Sequence, residues 1–285
     1  MEHARKLIET SRPILLLAHI TALTIGMVSV SDIQFLSMRF IIPVILFCYP
    51  YSIFIYGLND YYDVKSDRTN KRKSTAFGQV HSPASHSRLP KAALSGLGIS
   101  ILGFAMFGYE VVLSLALLSI LSFLYSARPV RLKGIPIIDF LVGGGVYMGI
   151  VGYIGYVIQG GSAIRSTSDM PIGLIVLILG GIVLHIFGAV VDRESDKKDG
   201  TVTTAVVLGP KRSLHLLLGI GFLTGYIARN HLLYLALGMM IVGASVLLYN
   251  PRLRTNASFI TKLTIVQMYS IFGTITLAAA IIIPN

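Results

Sequence analysis

Long apolar runs alternate with short polar segments along almost the whole chain. A helix needs roughly 20 apolar residues to cross the hydrocarbon core of a bilayer, and most of these runs approach that length. They predict nine membrane-spanning helices, near residues 13–31, 40–59, 91–109, 111–127, 136–158, 171–191, 213–229, 231–249 and 258–282. The pattern therefore predicts an all-α, polytopic membrane protein in which nine transmembrane helices surround a central cavity.

The composition supports this class of protein. Hydrophobic residues make up 54% of the 285 residues and charged residues only 13%, whereas soluble domains carry about a quarter charged residues. A net charge of +11 would suggest a nucleic-acid partner in a soluble protein. Here the basic residues are confined to the segments between spans, so we expect the lipid bilayer as a partner and no nucleic acid. Cys48, the single cysteine, can form no internal disulfide.

The basic residues also predict the orientation in the membrane. With nine spans, 21 of the 24 Lys and Arg residues fall on one side, and only Arg39, Arg165 and Arg229 fall on the other. By the positive-inside rule, the N-terminus and the basic loops are cytoplasmic and the C-terminus lies outside. We expect a multi-pass protein of the cell membrane. The first span follows basic residues, as in a signal peptide, but it lacks a small-residue cleavage pattern and is predicted to be retained.

Acidic residues are rare, and most of them form two clusters at the ends of the second and sixth spans. Asn59, Asp63 and Asp67 are spaced by four residues, so a continuous helix would place them on one face, about 6 Å apart per step. Asp192 and Asp196 have the same spacing in the second cluster. Such oxygen ligands suit Mg²⁺, which proteins usually hold with few carboxylates and with substrate phosphates. Unpaired carboxylates at hydrocarbon depth cost several kcal/mol, so we interpret the clusters as a metal site rather than as solvated loop ends.

The two large segments predicted between spans, about 60–90 and 192–212, both begin with these acids and both lie on the predicted cytoplasmic side. The connections on the other side are short, so no separate outer domain is expected. We predict a single domain over residues 1–285. The two similar clusters, roughly 130 residues apart, suggest duplicated halves of about 1–135 and 136–285.

Three segments together resemble the UbiA superfamily of intramembrane prenyltransferases. Residues 59–67 read Asn-Asp-x-x-Asp-x-x-x-Asp and residues 192–196 read Asp-x-x-x-Asp, which is similar to the paired aspartate-rich motifs of that family. Residues 125–133, Tyr-Ser-Ala-Arg-Pro-Val-Arg-Leu-Lys, are similar to the family pattern Tyr-Ser-x-Pro-Pro-x-Arg-Leu-Lys. The resemblance covers nearly the whole chain, because the motifs follow the second, fourth and sixth of the predicted spans.

The resemblance implies a Mg²⁺-dependent enzyme that moves a polyprenyl group from its diphosphate to a lipophilic acceptor. In this family Mg²⁺ bridges the acidic side chains and the diphosphate, whose departure leaves an allylic cation that the acceptor attacks. The implied catalytic residues are Asp63, Asp67, Asp192 and Asp196, and Asn59 joins them as an implied metal ligand. The implied diphosphate-binding residues are Arg12, Arg68, Lys71, Arg72, Tyr125, Arg128, Arg131, Lys133 and Lys197.

The acceptor stays open at this level, and aromatic acids, a glycerol phosphate ether, haem, a chlorin and a carotenoid are all alternatives. Residues 70–80 lack the Arg-Pro pair that often follows the first motif in the family, and Arg128 stands where a proline is common. Residues 185–191 and 200–205 bear a faint likeness to the branch that includes carotenoid elongases. A cation or organic-ion transporter that uses the carboxylates as a coupling site is the alternative from another class, although transport sites typically lie near the bilayer midplane.

Overall fold

The computed structural model describes residues 8–12, 15–30, 34, 36–67, 81–161 and 172–227, and the single positions 246, 250, 252 and 262. All regular secondary structure in these ranges is helical, which confirms the all-α prediction for this part of the chain. The helices are α1 (Leu16–Val28), α2 (Met38–Tyr62), α3 (Val64–Asp67), α4 (Pro83–His86), α5 (Leu89–Ala105), α6 (Tyr109–Ser126), α7 (Ile138–Ile158), α8 (Ile172–Asp199) and α9 (Thr204–Ile227).

Five of the described helices, α2, α6, α7, α8 and α9, are long and apolar enough to cross a membrane. The apolar helices α1 and α5 are shorter, with 13 and 17 residues. These seven helices correspond to the first seven predicted spans. The last two predicted spans, 231–249 and 258–282, lie outside the described residues, so the number nine stays a prediction.

The prediction of a large loop over residues 192–212 is wrong. Helix α8 continues through the second acidic cluster to Asp199, and residues 200–203 separate it from α9. Helix α9 is kinked at Gly209 (φ +75°, ψ 164°), just before Pro210. Gly200, at φ +75°, provides the left-handed residue that commonly ends a helix. Hydropathy marks where a helix leaves the membrane, but Arg, Glu and Lys are good helix formers and carry α8 further. The second acidic cluster therefore lies on a regular helix.

Glycines allow the helices that surround the cavity to approach closely. A Cβ atom on Gly144 of α7 would lie 2.4 Å from the carbonyl oxygen of Gly181 in α8, and the reverse contact is equally short. Further along α7, a Cβ on Gly155 would lie 2.4 Å from the carbonyl oxygen of Leu23 in α1. Small residues at such crossings are typical of membrane helices, and they hold α1, α7 and α8 together.

Two helices contain a π-helical segment. In α2 it covers Phe47–Tyr51 and includes Pro50, which has no N–H to donate to the helix. In α7 it covers Leu141–Val146 and includes three consecutive glycines. A π-helical turn widens the helix and shifts the side chains that follow it, and such turns are frequent at functional sites. Here they precede Asn59 in α2 and Tyr147 in α7, and both residues line the cavity.

Candidate active site

A cavity of about 370 Å³ lies among α1, α2, α6, α7 and α8. Both acidic clusters reach it, so the structure brings together side chains that lie more than a hundred residues apart. Its charged and amide side chains are Arg12, Asn59, Asp63, Asp67, Lys133, Asp192 and Asp196. Aliphatic side chains, glycines, tyrosines and histidines form most of the remaining wall. The cavity thus joins a polar end, where the motifs meet, to an apolar interior.

The first motif keeps its helical spacing across the end of α2. Asp63 follows α2 with φ −102° and ψ 11°, and α3 begins directly after it. The backbone N–H of Asp63 donates to the carbonyl oxygen of Asn59 at 2.9 Å, and that of Asp67 donates to Asp63 at 2.9 Å. The three side chains therefore remain on one side of the chain and line the cavity together.

The second motif faces the first from α8. Asp192 and Asp196 are one turn apart on this helix, about 6 Å along its axis, and both line the cavity. Among the described residues, no group of three or more His, Cys, Asp or Glu side chains is close enough to form a complete metal site by itself. Any ion held here would take further ligands from a bound substrate, as Mg²⁺ commonly does.

Arg12 enters the polar end of the cavity from the segment before α1. Its Nη2 donates to Asp60 Oδ1 at 2.6 Å and more weakly to Asn59 Oδ1 at 3.4 Å, and the guanidinium lies 4.6 Å from the centre of the Tyr56 ring. Burial alone disfavours the charged guanidinium, but the negative charges of Asp60 and Asp67 outweigh this effect, and the pKa of Arg12 is raised above its ordinary value. Arg12 is therefore a permanent cation beside the first motif.

Asp60 holds Arg12 from behind the cavity wall. It is 1% exposed and does not line the cavity, and its second oxygen lies 3.1 Å from Nε2 of His81. Sequence reasoning placed Asp60 in the acidic cluster without assigning it a role, and it gave no sign of His81. The helical spacing could have predicted that Asp60 does not share the metal-binding face. A residue next to Asn59 points to a different face of the helix from Asn59, Asp63 and Asp67.

The segment after α6 connects the first motif to the end of α8 through its basic residues. Lys133 forms an ion pair with Asp63 Oδ2. Arg131 Nη2 donates to Asp63 at 3.1 Å, to Asp199 at 3.0 Å and to Thr201 Oγ1 at 3.1 Å. Arg131 has φ +42°, an uncommon backbone conformation for a non-glycine residue. These bonds hold it there and attach the end of α8 to the first motif.

The other predicted diphosphate-binding residues do not all lie at the cavity. Tyr125 lines the cavity. Arg128 and Lys197 are exposed and do not line the cavity, so their predicted role gains no support from their placement. Hydropathy and spacing could not distinguish these two from Arg131 and Lys133, because all four belong to basic segments at span ends. The predicted residues Arg68, Lys71 and Arg72 lie outside the described residues.

Both histidines within the predicted spans bond to a tyrosine of another helix. His19 Nε2 of α1 lies 2.7 Å from the hydroxyl of Tyr147 in α7. His185 Nε2 of α8 lies 3.0 Å from the hydroxyl of Tyr125 in α6. All four side chains line the cavity.

Asp139, at the start of α7, has a structural role. It accepts hydrogen bonds from the backbone N–H of Thr204 at 2.8 Å and from its hydroxyl at 2.5 Å. These bonds cap the N-terminus of α9, where backbone N–H groups lack helical partners. Asp139 is 1% exposed and does not line the cavity. Asp139 therefore attaches the start of α7 to the start of α9.

Comparison with known proteins decides the family. The model of the UbiA prenyltransferase family matches residues 18–282. The chain belongs to this family. The family predicted from the motifs is thus confirmed, and with it the assignment as an enzyme. Together with the long apolar helices, membership of this family identifies a multi-pass membrane protein.

Two relatives of this UbiA chain are named lycopene elongase/hydratase. The protein from Corynebacterium glutamicum is 31% identical over 220 residues, which cover 76% of this chain and 74% of the relative. The protein from Halobacterium salinarum is 30% identical over 213 residues, which cover 70% of this chain and 72% of the relative.

Solved structures show the same fold. A UbiA homolog from Archaeoglobus fulgidus, bound to DMAPP and Mg²⁺, has a TM-score of 0.66 at 19% identity, over 94% of this chain and 99% of that one. A structure described for digeranylgeranylglyceryl phosphate synthase has a TM-score of 0.63 at 18% identity, over 98% of this chain and 99% of that one. The likeness therefore extends over nearly all of the chain.

Proposed function

We propose that this UbiA protein is a Mg²⁺-dependent prenyltransferase that attaches an allylic prenyl group, taken from its diphosphate, to the end of a carotenoid-type polyene. One observation carries the proposal: a single cavity joins both carboxylate motifs and two cations at one end to an uncharged, largely apolar interior at the other. An amphiphilic donor with a diphosphate head and a hydrocarbon tail matches this division.

The residues at the polar end fit a hard divalent cation. Carboxylate and amide oxygens of Asn59, Asp63, Asp67, Asp192 and Asp196 line the same cavity, and such oxygens are the ligands that Mg²⁺ prefers. When bound, Mg²⁺ would neutralise charge on the diphosphate and make it a better leaving group. The Archaeoglobus homolog bound to DMAPP and Mg²⁺ supports this assignment.

The basic residues complete the site for the donor. A diphosphate leaves with about three negative charges, and fixed cations stabilise it most where water is excluded. Arg12 and Lys133 line the cavity and are positioned by carboxylates. Arg131 and Lys133 both pair with Asp63, so both cations lie beside the first motif and can transfer to the phosphates as the donor binds. The same role for Arg128, Lys197 and the basic residues near 68–72 stays a prediction.

The interior of the cavity favours a hydrocarbon acceptor. Its walls carry side chains such as Ala18, Ile55, Leu118, Leu121 and Met148, and the Lys, Arg, Asp and Glu side chains among the described lining residues all belong to the polar end. Burying a carboxylate without a partner is very costly, so an aromatic acid would bind poorly in this interior, whereas a polyene needs no partner. Exclusion of water would also protect the allylic cation from hydrolysis. The two lycopene elongase/hydratase relatives support the same acceptor class.

The polar end of the cavity would face the cytoplasm. The predicted distribution of Lys and Arg supports this orientation under the positive-inside rule, since both motifs adjoin basic segments. We also propose that residues 1–285 form a single domain.

Product analysis in membranes tests the proposal. Membranes that contain the protein receive labelled dimethylallyl diphosphate, Mg²⁺, lycopene and a panel of hydroxybenzoate and hydroxynaphthoate acceptors, and the extracted lipids are analysed by mass spectrometry. We expect label in the polyene, lost with EDTA and restored by Mg²⁺. Label in an aromatic acceptor would contradict the acceptor class. No labelled product, combined with ion-driven uptake into proteoliposomes, would favour the transporter alternative instead.

A further inference from the structure

The pair formed by His19 and Tyr147 is the most unusual polar feature of the apolar interior. His19 is 1% exposed, stacks on Phe47 with ring centres 5.7 Å apart, and bonds to the Tyr147 hydroxyl at 2.7 Å. Its second ring nitrogen, Nδ1, has no hydrogen-bond partner among the described residues. A buried polar atom without a partner is unfavourable, so an apolar side chain would fill this position at lower cost. Such a group calls for a functional explanation.

The pair lies away from the metal-binding end of the cavity. His19 lies within α1, which begins at Leu16, whereas Arg12 precedes that helix. Its contacts are with the rings of Phe47 and Tyr147, and it forms no ion pair with a described carboxylate. Tyr147 lines the cavity and is less buried than His19. Both side chains line the cavity, and the hydrogen bond between them joins the Tyr147 hydroxyl to Nε2 of His19.

Prenyl transfer to a carbon–carbon double bond creates a demand for a base in this interior. When the allylic cation bonds to one carbon of the acceptor's double bond, the positive charge moves to the neighbouring carbon. That carbon must then take up water, or a proton must leave the carbon beside it. A proton next to a carbocation is so acidic that a weak base in a dry site suffices, provided that it is placed within reach.

We propose that Tyr147 and His19 together accept this proton, an inference that rests on the proposed function. The C–O bond to the diphosphate breaks, and the new C–C bond forms with the electron pair of the acceptor's double bond. The adjacent C–H bond then breaks, and its electron pair forms the double bond of the product. The oxygen of Tyr147 takes the released proton while its own proton moves to Nε2 of His19. The products are the elongated alkene, free diphosphate and an imidazolium, which returns its proton after the product leaves.

The ratio of products tests the assignment, using His19→Gln and Tyr147→Phe. Diphosphate release is measured in parallel, so that a loss of donor ionisation is distinguished from a changed fate of the cation. The ratio of alkene to hydrated product should fall by at least about tenfold, since water captures a cation that no longer loses its proton to the pair. Mass spectrometry separates the two products by the mass of one water. A purely structural role would lower both products in parallel and leave their ratio unchanged.

The second histidine–tyrosine pair provides the matched control. His185→Gln removes the other cavity histidine, which bonds to Tyr125 at 3.0 Å, and we expect it to leave the product ratio within twofold of wild type. An unchanged ratio in both His19→Gln and Tyr147→Phe, or an equal change in His185→Gln, would overturn the proposal and favour the departing diphosphate as the base. Mg²⁺-dependent binding of a non-hydrolysable prenyl thiodiphosphate shows that each variant is folded. If His19→Gln does not fold, the product ratio of Tyr147→Phe alone tests the proposal. A wild-type protein that forms no polyene product would contradict the proposed function instead.

Discussion

Asp60→Asn tests the organisation of the site most directly, because Asp60 holds Arg12 from a position outside the cavity. The substitution keeps the shape of the side chain and removes the charge that pairs with Arg12 at 2.6 Å and faces His81 at 3.1 Å. Breaking a buried ion pair from one side typically costs about 3–5 kcal/mol. Arg12 is 12% exposed and also interacts with the charge of Asp67. We therefore expect Asp60→Asn to lower the free energy of unfolding by about 2–4 kcal/mol.

The same substitution should weaken binding of the donor. Without Asp60, Arg12 loses the contact that orients it, and misplacing a charged group that binds the substrate lowers kcat/KM by about 10–100-fold. We expect most of this change in the KM for the prenyl diphosphate, and little in the KM for the acceptor. Initial rates at varied donor concentration and thermal unfolding in detergent measure the two effects. Glu194→Gln is the control, because Glu194 is 67% exposed and forms a surface pair with Arg193, which typically contributes at most about 1 kcal/mol.

A double-mutant comparison separates positioning from direct participation. If Asp60 acts through Arg12, Asp60→Asn should lower kcat/KM for the donor less than about twofold when Arg12 is already alanine, because coupled residues give non-additive effects. Full additivity of the two substitutions would refute the reasoning. So would a single Asp60→Asn variant whose donor kinetics and stability both match those of the wild-type protein.

Three further changes probe the metal site and the helix packing. Asp63→Ala or Asp192→Ala should reduce labelled product by at least about 1,000-fold with near-normal expression, and turnover retained in both variants would contradict the metal assignment. Treatment with EDTA should abolish transfer and added Mg²⁺ should restore it, whereas activity that survives complete chelation would exclude a required metal. Gly144→Ala should lower the free energy of unfolding by about 1–3 kcal/mol, because its Cβ would lie 2.4 Å from a carbonyl oxygen of α8. Gly180→Ala, whose Cβ meets nothing within 4 Å, should be neutral or stabilising in thermal unfolding. Equal effects of the two substitutions would contradict the predicted close packing.

Much of the fold could be predicted from hydropathy, and the errors of that prediction have one cause. The first seven apolar runs all correspond to helices of the structure. Hydropathy reports where a chain contacts lipid, whereas a helix ends where its backbone bonds end. For this reason α8 and α9 extend beyond the predicted spans and leave only residues 200–203 between them. Gly200 and the capping of Thr204 by Asp139 decide this turn, and the second of these is a contact between distant parts of the chain.

Periodicity also predicted which acidic residues share a face, but not which cations accompany them. The four-residue spacing of Asn59, Asp63 and Asp67 is a local property of a helix, and it places all three side chains on the cavity. The roles of Arg131 and Asp60 depend on partners about fifty to seventy residues away, and no local pattern contains that information.

The sequence by itself determined the class of protein, the family and the local geometry of each motif, because these depend on composition and on spacings of a few residues. Only the tertiary structure decided that both motifs line one cavity, that Arg12 and Lys133 enter it while Arg128 and Lys197 stay exposed, and that His19 meets Tyr147. Such pairings follow from how α1, α7 and α8 pack through their glycines. Close packing fixes the distances between helices, and these distances are not encoded in the pattern of any single helix.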